Sequence, residues 1–522
     1  MARPAPTRFI PDRERSSSTR KRPRRTYRSS DRSSGTLKTI RVAVKPNPYP
    51  IYIGSQSSSK LAQYISENKL SGTAVIVTQK EIWKHHGKKL AEQLSASGIH
   101  AKTFIAPATQ KSEQMKSFSS LRKLLEKVAD WECAGEGLFF IALGGGVVGD
   151  LTGFAASVYK RGVPFIQIPT TLTAQVDSSI GGKNAIDLPC GKNLIGTIYQ
   201  PKFVLIDPDY LKTLSTEFFF DGMAEVIKYA MIMDEKLFRY LEKYSDKVID
   251  RSDDALERII TNSCRIKAQI VSKDTMDTKG IRAVLNFGHT IGHAIEAAGG
   301  YQGYSHGQAV AVGMLLAAEL SLDLNVMSNR AVVGKLRKLL STYSLPQTIP
   351  SSIKIIPLLN ALLYDKKRIG GKNRFILIKD IGSTEIYTDV PTELIEDRVK
   401  KAYQKKGGST AKKQGLGILD LLFRGNAANK PKKIYAGSPK TKTAQVGVVR
   451  AYFSKIKVAI VQVTDGTIRQ GDRINFQGRK TNFHSTVTSM QINHKSVTEA
   501  AKGETMGLTV PKPVRQGDKV YL

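Results

Sequence analysis

The sequence predicts an α/β domain with a mostly parallel sheet, an α-helical domain after it, and a small β-barrel at the end. Three observations carry this. From residue 38 to about 214, short apolar runs alternate with stretches of helical spacing, the pattern of a parallel sheet covered by helices. After residue 214 long apolar-periodic stretches take over. From residue 440 the chain returns to short strand-like runs separated by glycine turns, as in a small barrel. A length of 522 residues suits about three domains at roughly 100–200 residues each.

Taken in order, residues 1–37 hold 11 Lys/Arg against three acids, including Arg20-Lys-Arg-Pro-Arg-Arg25. With few apolar residues this is a disordered basic arm. It has no apolar stretch of the kind that marks a secretory signal. Its Arg/Ser-rich composition also suits an organellar transit peptide, against which Asp12, Glu14 and Asp31 count. In the α/β domain (38–214), strands are predicted at 40–44, 51–53, 74–78, 138–143 and 165–169, and helices at 89–97 and 117–128. In the helical domain (215–404), helices are predicted at 222–244, 255–273, 287–298, 307–324 and 330–340, with a strand at 375–378. Residues 405–439, rich in lysine and containing Gly407-Gly408, read as a basic linker. In the barrel (440–522), strands are predicted at 446–449, 457–463, 473–476, 486–492 and 505–510, with a hairpin turn at Asp465-Gly466. Arg469-Gln-Gly-Asp472 recurs as Arg515-Gln-Gly-Asp518.

Composition excludes several classes. A hydrophobic content of 41% is too high for a wholly disordered chain. No apolar run approaches the roughly 18 residues of a membrane span. Cys133, Cys190 and Cys264 lie far apart with no CxxC, which excludes a disulfide scaffold and a cysteine-built zinc site. A reducing, cytoplasmic setting is expected. The net charge is +35, and residues 405–522 carry 22 Lys/Arg against six acids. Basic ends attract polyanions, of which nucleic acid is the commonest; they also serve simply for solubility.

Several segments carry chemistry. Gly144-Gly-Gly-Val-Val-Gly-Asp150 follows a predicted strand and fits GxGxxG, a loop whose amides can approach a pyrophosphate. The same residues also make a plain strand–helix turn. Asp177-Ser-Ser-Ile-Gly-Gly-Lys-Asn184 and Gly191-Lys-Asn-Leu-Ile-Gly196 place Lys183 and Lys192 between glycines, where lysines hold phosphate or carboxylate oxygens or are merely solvated. Glu225 and Lys228 share a helix face. His289 and His293 lie four apart, and His306 follows, so three of only eight histidines fall in one window. A carboxylate with two imidazoles is a common catalytic zinc set; packing or capping histidines are the alternative. Lys267, Arg282, Asn286 and Asp365-Lys-Lys367 add cations suited to an anionic substrate.

Together these segments resemble the 3-dehydroquinate synthase family of sugar-phosphate cyclases, over about residues 40–404. The resemblance is strongest in Gly144–Asp150, 159–162, 168–187, 191–201, 222–228, 282–296 and 305–314. It implies a Rossmann-like α/β domain plus a helical domain, with bound NAD and one zinc or cobalt ion between them. The implied reaction turns 3-deoxy-arabino-heptulosonate 7-phosphate into 3-dehydroquinate and phosphate, step two of the shikimate pathway. It runs through NAD-dependent oxidation, β-elimination, reduction and intramolecular aldol closure. By motif position, Glu225, His289 and His306 would hold the metal. Lys183, Lys192, Asn193, Lys228, Lys267, Arg282, Asn286, His293 and Lys366 would surround the substrate, with Asp177 in the site. Arg161 would reach phosphate from the neighbouring subunit of a homodimer. Glu113, Lys116, Gly144, Gly145, Gly146, Val147, Asp150, Thr170, Thr171 and Lys183 would contact NAD. Where the family carries an acid after the Val-Thr of the strand ending at Thr78, this chain has Gln79. Alternatives are another sugar-phosphate cyclase, or a cyclase-like scaffold bound to RNA or the ribosome. Residues 440–522 separately resemble the domain-II β-barrel of translation elongation factors, through Val446-Gly-Val-Val449, Tyr452-Phe-Ser454, Val458–Val461, the two Gly-Asp turns and Ser489-Met-Gln-Ile-Asn-His494. This adds RNA or ribosome contact to the expectations; no GxxxxGK[ST] loop accompanies it.

Overall fold

A computed structural model describes residues 37–107, 112–132, 137–189, 191–300, 303–368, 373–403, 445–453, 458–478, 481–487, 489–492, 495–515 and 517–522. The expected basic arm apart from Leu37, the whole expected linker, Cys133 and Cys190 lie outside these. The described residues form two compact units, one within 1–410 and one within 411–522.

Through residue 206 the first unit interleaves helices with nine strands: β1 (Lys38–Val42), β2 (Tyr49–Ile53), β3 (Thr73–Thr78), β4 (Ala101–Ile105), β5 (Leu138–Gly144), β6 (Phe165–Pro169), β7 (Lys183–Leu188), β8 (Gly191–Ile198) and β9 (Val204–Ile206). Seven of them make one sheet in the order β1-β2-β9-β6-β5-β3-β4. Only the β1–β2 pair is antiparallel. The apolar run of β5 is buried along its whole length, because both faces of the sheet are covered. Val75, Val77, Phe140 and Ala142 pack on Leu121, Leu124 and Val128 of helix Phe118–Trp131. Ala74, Ile76, Phe139 and Ile141 face Leu61, Ile65, Leu90 and Leu94 on the other side. Alternate strand residues thus bury opposite faces, as the period of two requires. Ser117 opens helix Phe118–Trp131, accepting from the Ser120 N–H at 3.3 Å.

The helical part contains Thr216–Met233, Glu235–Lys243, Asp253–Lys273, His289–Ala298, His306–Asp323, Ala331–Thr342 and Ile355–Arg368, and the hairpin β10 (Arg374–Asp380) with β11 (Ser383–Thr388). The expected single helix 222–244 is in fact two. Asp234 leaves helical backbone geometry at φ −142°, and its carboxylate caps the second helix through the Leu237 N–H at 2.9 Å. Val42, Ile51, Leu172, Val176 and Val204 share one apolar core with Phe219, Ile227, Ile259, Val271 and Val310. The sheet and the helices after it are therefore joined through a common interior.

The lysine segments expected as glycine-rich loops are instead the two arms of an antiparallel hairpin, β7–β8. Helix Gly146–Val158 presses on it so closely that a Cβ on Gly153 would lie 1.9 Å from Asn184 Oδ1.

The second unit is antiparallel. Its strands are β12 (Gln445–Phe453), β13 (Val458–Val463), β14 (Thr467–Arg469), β15 (Arg473–Gly478), β16 (Thr481–Thr486), β17 (Met490–Ile492), β18 (Lys495–Val497), β19 (Glu499–Ala501), β20 (Thr505–Thr509) and β21 (Lys519–Tyr521). Eight follow the order β16-β15-β21-β12-β13-β20-β17-β18, and β14 pairs with β19. Val449, Val461, Phe476, Leu508 and Val520 form its core. The expected hairpin at Asp465-Gly466 is a turn only: β13 pairs with β12 and β20, while β14 pairs with β19. The expected strand 486–492 is split between β16 and β17. The repeated sequence makes one turn twice. Asp472 accepts from the Arg469 N–H, and Asp518 from the Arg515 N–H, each at 2.7 Å. Among the described residues no helix is long and apolar enough to cross a membrane.

Candidate active site

Helix Thr216–Met233 carries Asp221, Glu225 and Lys228 at spacings of four and three, which places them on one face. Asp221 accepts from the Ser305 hydroxyl at 2.5 Å, the Gly307 N–H at 2.7 Å and the Gln308 N–H at 3.3 Å. It thereby satisfies the free amides that open helix His306–Asp323, and His306, the first residue of that helix, is turned toward Glu225. Helix His289–Ala298 starts after Gly288, whose φ of +79° suits glycine. It lies against His306–Asp323 so tightly that a Cβ on Gly313 would stand 2.0 Å from the Gly288 carbonyl oxygen. Three helices therefore converge on one carboxylate.

Glu225 is fully buried, and neither of its oxygens has a hydrogen bond of good geometry. Lys228 Nζ touches Oε2. His289 Nε2 and His306 Nε2 lie 3.5 and 3.4 Å from Oε1. One donor atom from each of these three residues falls within 4.8 Å of the others. His289 Nδ1 is 3.1 Å from the Phe287 carbonyl, and His306 Nδ1 is 3.1 Å from Glu296 Oε2. Both partners can only accept, so in each ring Nδ1 carries the hydrogen. Burial works to raise Glu225, but Lys228 and then the two imidazoles outweigh it and hold the carboxylate well below its usual range. Burial pushes His289 down to about 3. His306 is raised to about 10: burial opposes this, and the flanking Glu225 and Glu296 carboxylates overcome it. The pocket favours positive charge beside a neutral imidazole. Its two nitrogens and one buried carboxylate, with Oε1 free of a well-formed hydrogen bond, suit zinc or cobalt.

Beside this cluster, Asp177 accepts from Lys267 and, at 2.5 Å, from the Tyr229 hydroxyl. Burial would raise Asp177, but Lys228 and Lys267 hold it below its usual range. Lys267 itself is lowered, chiefly by burial.

A cavity of about 1470 Å³ runs from Gln79, Ser112 and Glu113 past Gly145, Gly146 and Val147 to His293, Glu296 and His306. At its first end, β5 leads into helix Gly146–Val158, whose start has no side-chain cap. This leaves amides open to an anion. A Cβ on Gly145 would meet Thr171 at 3.1 Å, and one on Gly146 would meet Ser178 at 2.9 Å, so the wall is a cradle that side chains would fill. Lys116, nearly buried, sits 2.8 Å from Asp150, 3.3 Å from Glu113 and 3.8 Å from Asp187, and touches Asn193. Burial pushes Asp150 up to about 6 against the pull of Lys116. Thus one cation ties the glycine turn to the β7–β8 hairpin.

Of the residues marked by the sequence, Glu113, Lys116, Gly145, Gly146, Val147, Asp150, Thr170, Thr171, Asp177, Lys192, Asn193, His293 and His306 line this one cavity. Glu225, His289, Lys228 and Lys267 stand in the buried clusters behind it. Five others do not line it either. Gly144 is packed under Val148. Lys183 is exposed and paired with Asp277 at 2.5 Å. Arg161 is exposed in a left-handed turn at φ +66°. Asn286 is exposed. Arg282 is buried, donating to the carbonyls of Gly181 and Thr275 at 3.2 and 3.3 Å. Lys366 belongs to helix Ile355–Arg368, but its side chain lies outside the described residues. The sequence reading passed over Asp221, Tyr229 and Glu296. Asp221 precedes Glu225 by four residues and Glu296 follows His289 by seven, so helical spacing was the available signal for both.

Known proteins fit this arrangement. A family model described as 3-dehydroquinate synthase N-terminal matches residues 107–221, and one described as 3-dehydroquinate synthase C-terminal matches 222–368. The chain belongs to the 3-dehydroquinate synthase family. A 3-dehydroquinate synthase of Desulforamulus reducens is 40% identical over 353 residues, covering 67% of this chain and 96% of the relative. One of a Picosynechococcus species is 41% identical over 361 residues, covering 69% and 97%. Two thirds of this chain thus accounts for almost the whole of each of these 3-dehydroquinate synthases. Among solved structures, 2-deoxy-scyllo-inosose synthase, in complex with carbaglucose-6-phosphate, NAD+ and Co2+, is 26% identical with a TM-score of 0.62, covering 70% of this chain and 100% of its own. The 2-epi-5-epi-valiolone synthase of Streptomyces hygroscopicus, with NAD+ and Zn2+ bound, shares the fold at 23% identity and a TM-score of 0.61, covering 69% and 98%.

Proposed function

We propose that this chain is a 3-dehydroquinate synthase: a phosphate-eliminating carbon–oxygen lyase converting 3-deoxy-arabino-heptulosonate 7-phosphate to 3-dehydroquinate and phosphate. The observation that carries this is the buried Glu225 carboxylate, whose Oε1 faces two imidazole Nε2 atoms, behind the same cavity that the glycine cradle lines. Glu225, His289 and His306 hold one zinc or cobalt ion. Residues 38–214 hold NAD, through Glu113, Lys116, the turn Gly145–Val147, Asp150, Thr170 and Thr171, which line the cavity; Lys183, paired with Asp277, stands outside it. When bound, NAD takes and returns a hydride and the ion polarises substrate oxygens.

The chain's own residues do the rest. The uncapped helix start receives the pyrophosphate. Lys192, Asn193 and His293 bind the sugar phosphate at the cavity wall, with Lys228, Lys267 and Lys366 supplying further charge from 215–404. Asp177, ionised at neutral pH, keeps Lys267 and Tyr229 oriented toward the substrate. Cationic side chains around the leaving phosphate stabilise its developing charge. Arg161, exposed and away from the cavity of its own chain, serves the site of a second subunit in a homodimer. The enzyme is cytoplasmic. Residues 440–522 act as an elongation-factor-like module that contacts RNA through their basic side chains.

The 26% identical inosose synthase favours one second reading, a cyclase for a different sugar phosphate. The test is metal and nucleotide analysis of the purified full chain, followed by phosphate release from the heptulosonate. Bound NAD, one ion per chain and metal-dependent release are expected. Bound cofactors without release would point to the second reading. A chain that holds neither cofactor would be a scaffold and not an enzyme.

A further inference from the structure

Glu296 lies on helix His289–Ala298, three residues beyond His293, and is 6% exposed. Both of its oxygens are engaged. Oε2 is 3.1 Å from His306 Nδ1, and Oε1 is 3.3 Å from Lys192 Nζ. A carboxylate only accepts, so His306 donates from Nδ1, and Nε2, the nitrogen 3.4 Å from Glu225, is the one whose lone pair a metal takes when it displaces the proton there. His289 is fixed in the same sense by a neutral partner, the Phe287 carbonyl. His306 has a charged one, which makes its ring the more strongly donating of the two.

A competing arrangement exists. Donor atoms of His293, Glu296 and His306 also fall within 4.8 Å of one another. Two facts weigh against ligation there. Both Glu296 oxygens already accept from His306 and Lys192, and His293 is exposed at the cavity wall while Glu225 is sealed. We propose that Glu296 is a positioning residue, not a ligand, and that it fixes His306 as an Nε2 donor to a metal held with Glu225 and His289. This rests on the metal assignment made above.

The test uses the full-length protein and its E296A, E296Q, H293A and E225Q variants. Zinc affinity is measured by competition with a chromophoric chelator, and the visible spectrum is recorded after cobalt replacement. E296A should bind zinc about 10–100-fold more weakly, still at one ion per chain, with a shifted cobalt band and unchanged NAD affinity. E296Q, whose amide oxygen still accepts from Nδ1, should lose less, and H293A should stay within about twofold of the parent. Zinc affinity in E296A within twofold of the parent would overturn the proposal. So would a second equivalent of zinc that H293A and E296A each remove. Zinc retained by E225Q would overturn the metal assignment and this proposal together. Zinc lost from E225Q but not weakened in E296A would overturn this proposal alone.

Discussion

His306 stands between two carboxylates, Glu225 and Glu296, and they set its charge. Its imidazole is raised from an ordinary 6.5 to about 10, so it binds a proton more tightly folded than unfolded. The stability this gives is complete below 6.5 and is lost as pH rises through 10. Chelator-treated protein should therefore show a urea midpoint that falls between pH 6.5 and 10, and H306N should flatten that slope. A midpoint independent of pH in the parent would sink the idea. Glu296 has the opposite sign. It is depressed from 4.5 to about 2, because His306 and Lys192 outweigh its burial, so its contribution exists above 4.5 and fades as pH falls to 2. The sequence disclosed the histidines because three of a scarce residue crowd one window. It did not disclose Glu296 or Asp221: helical spacing aligns them with His289 and Glu225, but nothing sets them apart from surface acids until the partners across the helix packing are known. Tyr229 was hidden for a related reason: its hydroxyl meets Asp177 across 52 residues of chain.

The cluster of Glu225, His289 and His306 depends on how closely two helices approach. Gly313 touches the backbone at Gly288, so G313A forces His289–Ala298 away from His306–Asp323. Overpacking of this kind lowers stability by about 1–3 kcal/mol. The added consequence expected is weaker zinc binding, read by chelator competition, because His289 and His306 ride on the two separated helices. G313A that melts earlier yet binds zinc normally would show that the site tolerates the shift. The same packing explains what was legible at this scale. β5 was evident because a strand covered on both faces is apolar throughout. β7 and β8 were not, since glycines bound them and their residues are mostly half-exposed, so no clean alternation marks them. Helix 222–244 read as continuous because the apolar period runs on through Asp234. Only the capping role of that side chain marks the break.

At the scale of the whole molecule, the family resemblance ends near residue 404, and the matched relatives are almost wholly covered without the rest. Removal of 1–37 and 405–522 should therefore leave kcat/KM for phosphate release within about twofold, and a large loss would show that the ends serve the reaction. If the basic tail contacts RNA, retention on RNA should fall steeply with added salt; salt-insensitive or absent retention would leave its charge without that role. The three-part plan was legible because periodicity and charge change sharply along the chain. The shared interior was not, because it joins residues as distant as Val42 and Val310. That shared interior bears on how such a protein can change. A cut near residue 214 would not release two self-sufficient pieces but would lay bare a greasy seam on each. Any ancestor that exchanged the residues before 214 wholesale would have had to re-knit both sides at once.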